Sequence, residues 1–196
     1  LQTKMLADRI FLIKLYNFGA SSPGLFRQAL SEFQAAQGNK LIIDVRGNPG
    51  GLLDAAVETA SWFLPAGKIV VQEVKGESDQ GRIYRSRGYN NAPPGLRLVI
   101  LVDQGTASAA EIFAGALAEH GLATLVGEKT FGIGSVQELI PLQDDAALKL
   151  TIARWLTPKG VSLSDNGLTP QIEVTLTEAD RKADRDRQLQ KAIEIL

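Results

Sequence analysis

The sequence contains no cysteine, a single histidine (His120), one methionine and only 6% aromatic residues. Without cysteine there is no disulfide scaffold, no thiolate metal site and no cysteine nucleophile. One histidine argues against a histidine-ligated metal centre and leaves a Ser-His-Asp triad a single candidate base. An excess of one charge is missing too: 21 Lys+Arg face 22 Asp+Glu, a formal net charge of −1. That balance leaves no electrostatic footprint for nucleic acid or an anionic membrane. Long apolar runs are also absent. The longest, Leu98 to Val102, falls far short of the roughly 20 residues of a membrane span.

What remains is a chain of 196 residues, 44% hydrophobic, long enough to bury a sizeable core in one domain. It opens on Leu1 with no basic and then apolar leader, and is read as a mature form or a piece of a longer chain. There are no internal repeats and no low-complexity tract.

Strands are expected over 9–15, 40–45, 68–74, 97–102 and 122–126, with a loop or an irregular hairpin over 75–95. Ser22-Pro23 opens a helix whose apolar positions recur at helical spacing until Gly38 stops it. Further helices are expected over 52–63 and 108–119. Residues 135–142 and 146–154 alternate as a hairpin around Asp144-Asp145. Thr177 to Asp180 reads as a capping box opening a charged, solvated C-terminal helix or oligomer contact. Alternating strands and helices followed by a β-rich third argue an α/β domain, expected over 1–176, with the terminal helix over 177–196.

Two strand-to-helix turns carry candidate chemistry. In Asp44-Val-Arg-Gly-Asn-Pro-Gly-Gly51, the N–H groups of Gly50 and Gly51 can point together at the positive end of a helix, forming an oxyanion site. The plainer alternative is a tight connecting turn. In Asp103-Gln-Gly-Thr-Ala-Ser-Ala-Ala-Glu111, Ser108 begins a helix among small neighbours, the placement used for a nucleophilic serine. Its plainer alternative is a helix N-cap. His120 lies about 18 Å further along the same helix at roughly 1.5 Å per residue, too far to be the base. A desolvated lysine is the remaining candidate type. Arg46 can pair with Asp44 or Glu111 and brace the two turns, or simply face solvent. Trp62, Phe63 and Trp155 read as core, with Trp155 a possible pocket wall.

The segments LIIDVRGNPGGLLDAAVETASWFLP (41–65), LVDQGTASAAEIFAGAL (101–117), GEKTFGIGSVQ (127–137) and TPKGVSLSDNGLTPQIEV (157–174) together resemble the C-terminal processing (tail-specific) serine proteases. The resemblance implies a Clp-protease/crotonase-like β-β-α core and a Ser/Lys dyad, with Gln beside the Lys and no cofactor or metal. Carried over, Ser108 matches the nucleophile, Gln137 the Gln, and the Ala109 N–H joins one from Gly50-Gly51 in the oxyanion hole. The family segment T-F/Y-G-K-G-x-V-Q is here Thr130-Phe-Gly-Ile-Gly-Ser-Val-Gln137, so Ile133 stands at the lysine position. Ile has no lone pair, and the chain is expected to cleave poorly or to act as a non-catalytic pseudoprotease that binds peptides or partner proteins. Lys129, four residues earlier, is a poor substitute.

The resemblance also implies a polypeptide substrate or its C-terminus as partner, an extracytoplasmic setting (periplasm, cell envelope or thylakoid lumen), and possible homo-oligomers. The peptide-binding PDZ module usual in the family is absent from these residues. An acyl-thioester enzyme of crotonase type is a more distant alternative, because no convincing acid/base carboxylate pair accompanies the Gly-Gly turn, flanked though it is by Asp44 and Asp54.

Overall fold

The computed structural model describes residues 1–75, 81–89, 92–141, 147–164 and 166–196, with the side chains at 136–141, 147 and 149 outside the description. Strands β1 (Gln2–Met5), β2 (Ile10–Lys14), β3 (Lys40–Asp44), β6 (Arg97–Val102), β7 (Thr124–Gly127) and β10 (Ile172–Glu173) form one sheet in the order β1-β2-β3-β6-β7-β10. Only β1 runs antiparallel to its neighbour. Strands β4 (Ile69–Val74), β5 (Arg82–Arg85), β8 (Ser135–Pro141) and β9 (Ala147–Leu156) form an antiparallel second sheet, ordered β5-β4-β9-β8. The expected hairpin is therefore β8-β9, while its Asp144-Asp145 turn lies outside the described residues.

The central strands of the first sheet are apolar at nearly every position because both faces are covered. Leu41, Ile43, Leu98, Ile100 and Val102 point into the larger core, with helices α1 (Ser22–Ala35), α2 (Leu53–Ala60) and α3 (Ala109–Glu119). The intervening residues Ile42, Val99 and Leu101 point to the opposite face. There they meet Ala192 and Leu196 in and just after helix α5 (Arg187–Ile195). The alternation is the period of a strand, with a hydrophobic layer on either side.

The C-terminal segment departs from its expected form. It folds as two helices, α4 (Glu178–Lys182) and α5, and the chain between them passes through Asp184 at φ 49. Helix α5 is not a solvated face. Leu189, Ala192, Ile193 and Leu196 seat it on the sheet. The sparse apolar positions that suggested exposure are enough to form one covering stripe.

Parallel order also determines where the candidate turns lie. Because β3, β6 and β7 are adjacent and parallel, with Asp44 beside Leu101 and Val102 beside Gly127, their carboxyl ends share one edge. The turns after all three strands meet there, the usual place for a site in an open α/β sheet.

Candidate active site

The turn after β3 is built around Asn48, which is fully buried. Its side-chain Nδ2 donates to the Leu15 carbonyl at 2.8 Å, and its Oδ1 accepts from Gly50 N–H at 2.9 Å. Its own carbonyl accepts from Ala107 N–H at 2.9 Å, so one residue joins the chain just after β2, the glycine turn and the serine turn. Asp103 adds a second link, accepting from the N–H groups of Gly47 (2.8 Å) and Gly105 (2.9 Å). Thr106 supplies a third, its hydroxyl donating to the Val45 carbonyl at 2.9 Å.

Glycine is required at both expected positions. Gly50 has φ +96, and a Cβ there would stand 2.7 Å from the Ala107 carbonyl oxygen and 2.8 Å from Ser108 Cβ. Gly51 has φ +142 and lies against the Phe18 carbonyl, where a Cβ would approach to 2.4 Å. The two differ in what their N–H groups do. Gly50 N–H is already engaged by Asn48, so its contribution to the site is steric. Gly51 N–H forms no hydrogen bond among the described residues, and the same holds for Ala109 N–H at the first position of α3.

Ser108 stands at the N-cap position of α3 with φ 52 and ψ −120. That conformation is rare for a residue with a Cβ and persists only where its surroundings over-determine it. Ser108 and Glu111 stand in the capping-box arrangement: Glu111 accepts from Ser108 N–H at 2.9 Å, and the Ser108 side chain faces the Glu111 N–H. The Ser108 hydroxyl falls short of a cap hydrogen bond. The helix start is thus held by Glu111, and the hydroxyl makes no full hydrogen bond among the described residues.

Glu111 braces the site, but through partners other than the Arg46 the sequence suggested. It is fully buried and holds the 130–133 segment as well as Ser108. Its carboxyl group accepts from the Thr130 hydroxyl at 2.5 Å, from Gly132 N–H at 2.9 Å and from Ile133 N–H at 3.0 Å. Phe131 N–H adds a bond to the Thr106 carbonyl at 3.0 Å. Ser108 and Ile133 therefore share one carboxyl group as backbone partner. Ile133 is 40% exposed, and Phe131 (66%) and Leu52 (53%) are more open still, so apolar side chains border this edge of the sheet. The spacing Ser108-x-x-Glu111 signals a capping box, whereas nothing local reveals the partners at 130–133.

The remaining candidates are placed as follows. The backbone of Gln137 lies in β8 opposite Thr151, and its side chain is outside the description. Lys129 lines a cavity of about 540 Å³ with Gly115, Glu119, Lys159 and Gln171, and Ser108 is not among the lining residues. His120 is the C-cap of α3, and its Nε2 lies 2.7 Å from the Ile69 carbonyl oxygen. Trp155 packs edge-on against Tyr84 at the margin of the larger core, with ring centroids 5.8 Å apart.

Arg46 pairs with Asp44 as expected but not with Glu111. Its second acidic partner is Asp186, at 2.8 Å. Burial alone would pull its pKa down. The hydrogen bonds to Asp44 and Asp186 outweigh that, so the guanidinium is held above its ordinary range. No cluster of His, Cys, Asp and Glu among the described residues is arranged to hold a metal ion.

A serine on a strained strand-to-helix turn, beside Gly51 and Ala109 N–H groups that make no hydrogen bond among the described residues, lies at one edge of an α/β sheet, where sites of this class of fold are usually found. The pattern of peptidase family S41 matches residues 9–174, and the chain belongs to that family. It is 34% identical to the carboxy-terminal processing protease CtpB of Bacillus subtilis (strain 168), over 88% of this chain and 35% of that protein. It is 36% identical to a carboxyl-terminal-processing protease of Synechocystis sp. (strain ATCC 27184 / PCC 6803 / Kazusa), over 94% of this chain and 43% of that one. Among solved structures, the photosystem II D1 C-terminal processing protease superposes with a TM-score of 0.76 at 33% identity, covering 86% of this chain and 43% of the other. The chain thus spans well under half the length of these relatives.

Proposed function

We propose that this chain is the catalytic core of a serine endopeptidase acting on the C-terminal regions of polypeptides, with Ser108 as nucleophile, and that Ile133 leaves it nearly silent. The observation that carries the reading is the backbone of Ser108, held at φ 52 with a hydroxyl that makes no full hydrogen bond among the described residues. In an acyl transfer, Ser108 Oγ would attack the scissile carbonyl and become esterified as the peptide C–N bond breaks. Gly51 N–H and Ala109 N–H are the donors best placed for the oxyanion.

Proton transfer is the missing part. The resemblance implies a lysine at position 133, oriented by Gln137, to take the hydroxyl proton and return it to the leaving amine. An isoleucine does neither, and general-base assistance is worth about 10²–10⁴-fold. The test compares the protein with Ile133→Lys on an unfolded protein substrate. Cleavage is expected to rise by roughly 10²–10⁴-fold and to vanish when Ser108→Ala is added. A folded Ile133→Lys protein that does not cleave would overturn the reading.

Exposed apolar side chains at 131 and 133, together with Gly51 and Ala109 N–H groups that make no hydrogen bond among the described residues, favour a second reading, a pseudoprotease that holds peptides without cutting. Calorimetric binding of an unstructured peptide, with no product by mass spectrometry, would support it. Absence of association would remove it. The family resemblance also supports an extracytoplasmic setting, and no helix among the described residues is long and apolar enough to cross a membrane.

A further inference from the structure

The family match ends at residue 174, yet the helices beyond it reach back to the oxyanion turn through a single side chain. Arg46 sits just ahead of Gly47 in that turn, and all five of its guanidinium N–H donors are used. Nε and Nη2 donate to the two carboxylate oxygens of Asp44 at 2.9 and 2.8 Å. Nη1 and Nη2 donate to the two oxygens of Asp186 at 2.9 and 2.8 Å. Nη1 donates again, to Gln188 Oε1 at 2.9 Å. Two carboxylates thus grip one planar fork from either side, the geometry in which arginine gains most over lysine.

The far half of the clamp is itself anchored. Gln188 is buried and donates through Nε2 to the Val174 carbonyl at 2.8 Å. Asp186 caps α5, its Oδ1 accepting from Leu189 N–H at 2.9 Å. Helix α5 is seated on β6 and β7 by its apolar stripe and by a hydrogen bond from Arg97 Nη2 to the Ile195 carbonyl at 2.7 Å.

We infer that Asp186, assisted by Gln188, is a positioning residue for the oxyanion turn, holding Arg46 and through it the backbone from Gly47 to Gly51, so that the C-terminal helices belong mechanically to the site. This rests on the reading of Ser108 as a nucleophile served by Gly51 N–H. A purely structural Asp186 would cap α5 and do no more. Asparagine separates the two roles, because it caps a helix about as well as aspartate but cannot form the paired carboxylate contact with the guanidinium.

The experiment is amide hydrogen exchange on the intact chain with Asp186→Asn. Exchange at Gly47, Asn48 and Gly50, whose N–H groups are hydrogen-bonded in the turn, is expected to quicken by about tenfold while the α5 amides stay protected. An unchanged turn, or parallel loss of protection across α5, would overturn the inference. Arg46→Lys, which keeps the charge but not the double fork, is expected to give the same local effect, and it decides the matter if Asp186→Asn does not fold. A kinetic arm adds Asp186→Asn to the Ile133→Lys protein, where kcat is expected to fall roughly tenfold at unchanged KM. Unchanged kcat in a cleaving enzyme would remove the positioning role and leave the protease reading standing. If Ile133→Lys does not cleave at all, the protease reading falls, and the exchange result alone decides whether Asp186 holds the turn.

Discussion

Two helices of this protein begin with the same short pattern, a hydroxyl residue followed three positions later by an acid, and they use it in opposite ways. At Thr177, φ −75 and ψ 161 are ordinary extended values, the hydroxyl accepts from Asp180 N–H at 3.1 Å, and Asp180 accepts from Thr177 N–H at 3.1 Å. Both halves close, and the motif serves its own helix. At Ser108 the backbone is turned to φ 52, the hydroxyl makes no cap bond, and Glu111 collects donors from residues far along the chain. The difference lies in what surrounds the acid. Both acids are buried, but Asp180 finds its further partners in the nearby side chains of Arg185 and Arg187, whereas Glu111 is enclosed between two loops whose backbone N–H groups need an acceptor. A cap stabilises a helix, whereas the same spacing under a packed sheet edge can place a hydroxyl and free it.

The largest effect expected from breaking this contrast is at Glu111. Glu111→Leu would leave the Ser108, Gly132 and Ile133 N–H groups and the Thr130 hydroxyl without their acceptor, and should cost roughly 3–5 kcal/mol by denaturant unfolding. A loss below about 1 kcal/mol would mean that water or repacking satisfies those donors. Next is Gly50→Ala, which places a methyl group against three atoms of the serine turn at φ +96. It should cost about 2–3 kcal/mol and remove any Ser108-dependent cleavage from an Ile133→Lys protein. Retained activity would show that the turn can shift without losing its aim.

How much of this could be read from the chain depends on the distance over which each feature is decided. The strands and turns that meet at the site were legible because glycine, proline and short apolar runs mark them locally. Strand β1 was not, since Gln2–Met5 is exposed at every position and carries no apolar alternation. Strand β10 is only two residues long and exists by pairing with β7. The link from Asp186 to the site and the actual partners of Glu111 were not legible for one reason. The residues joined lie 140 and about 20 positions apart, and only the parallel order of β3, β6 and β7 brings them together. Local pattern located the glycine and serine turns, while the groups that hold them in place are a property of topology.

A moderate effect is expected at the conventional cap. Thr177→Ala should cost about 1 kcal/mol. The pH dependence of this cap follows from Asp180. The Thr177 hydroxyl holds its carboxyl down, against the opposing effect of burial and with help from the Thr177 N–H and Arg185, at about 2 from an ordinary 3.8. A lowered folded pKa means that the unfolded chain binds the proton first. The contribution is therefore complete above about pH 4 and drains away as pH falls toward 2. The difference in melting temperature between this protein and Asp180→Asn should shrink over that window. A constant difference would place the stabilisation in packing rather than in the charge.

The smallest effect is expected at Ser108 itself. Its backbone strain is carried by Glu111, Asn48 and Gly50, and its hydroxyl holds no cap. Ser108→Ala keeps a Cβ of the same size at the same φ and should therefore change stability by no more than about 0.5 kcal/mol. Set beside Thr177→Ala, the pair measures the comparison directly, since each removes the hydroxyl oxygen from the same position of the same motif. Equal costs near 1 kcal/mol would mean that the Ser108 hydroxyl caps α3 in solution and that the two helix starts are alike. A neutral Ser108→Ala beside a costly Thr177→Ala would mean that the serine hydroxyl contributes nothing to the fold, which is what a residue kept for chemistry or for contact with a bound chain requires.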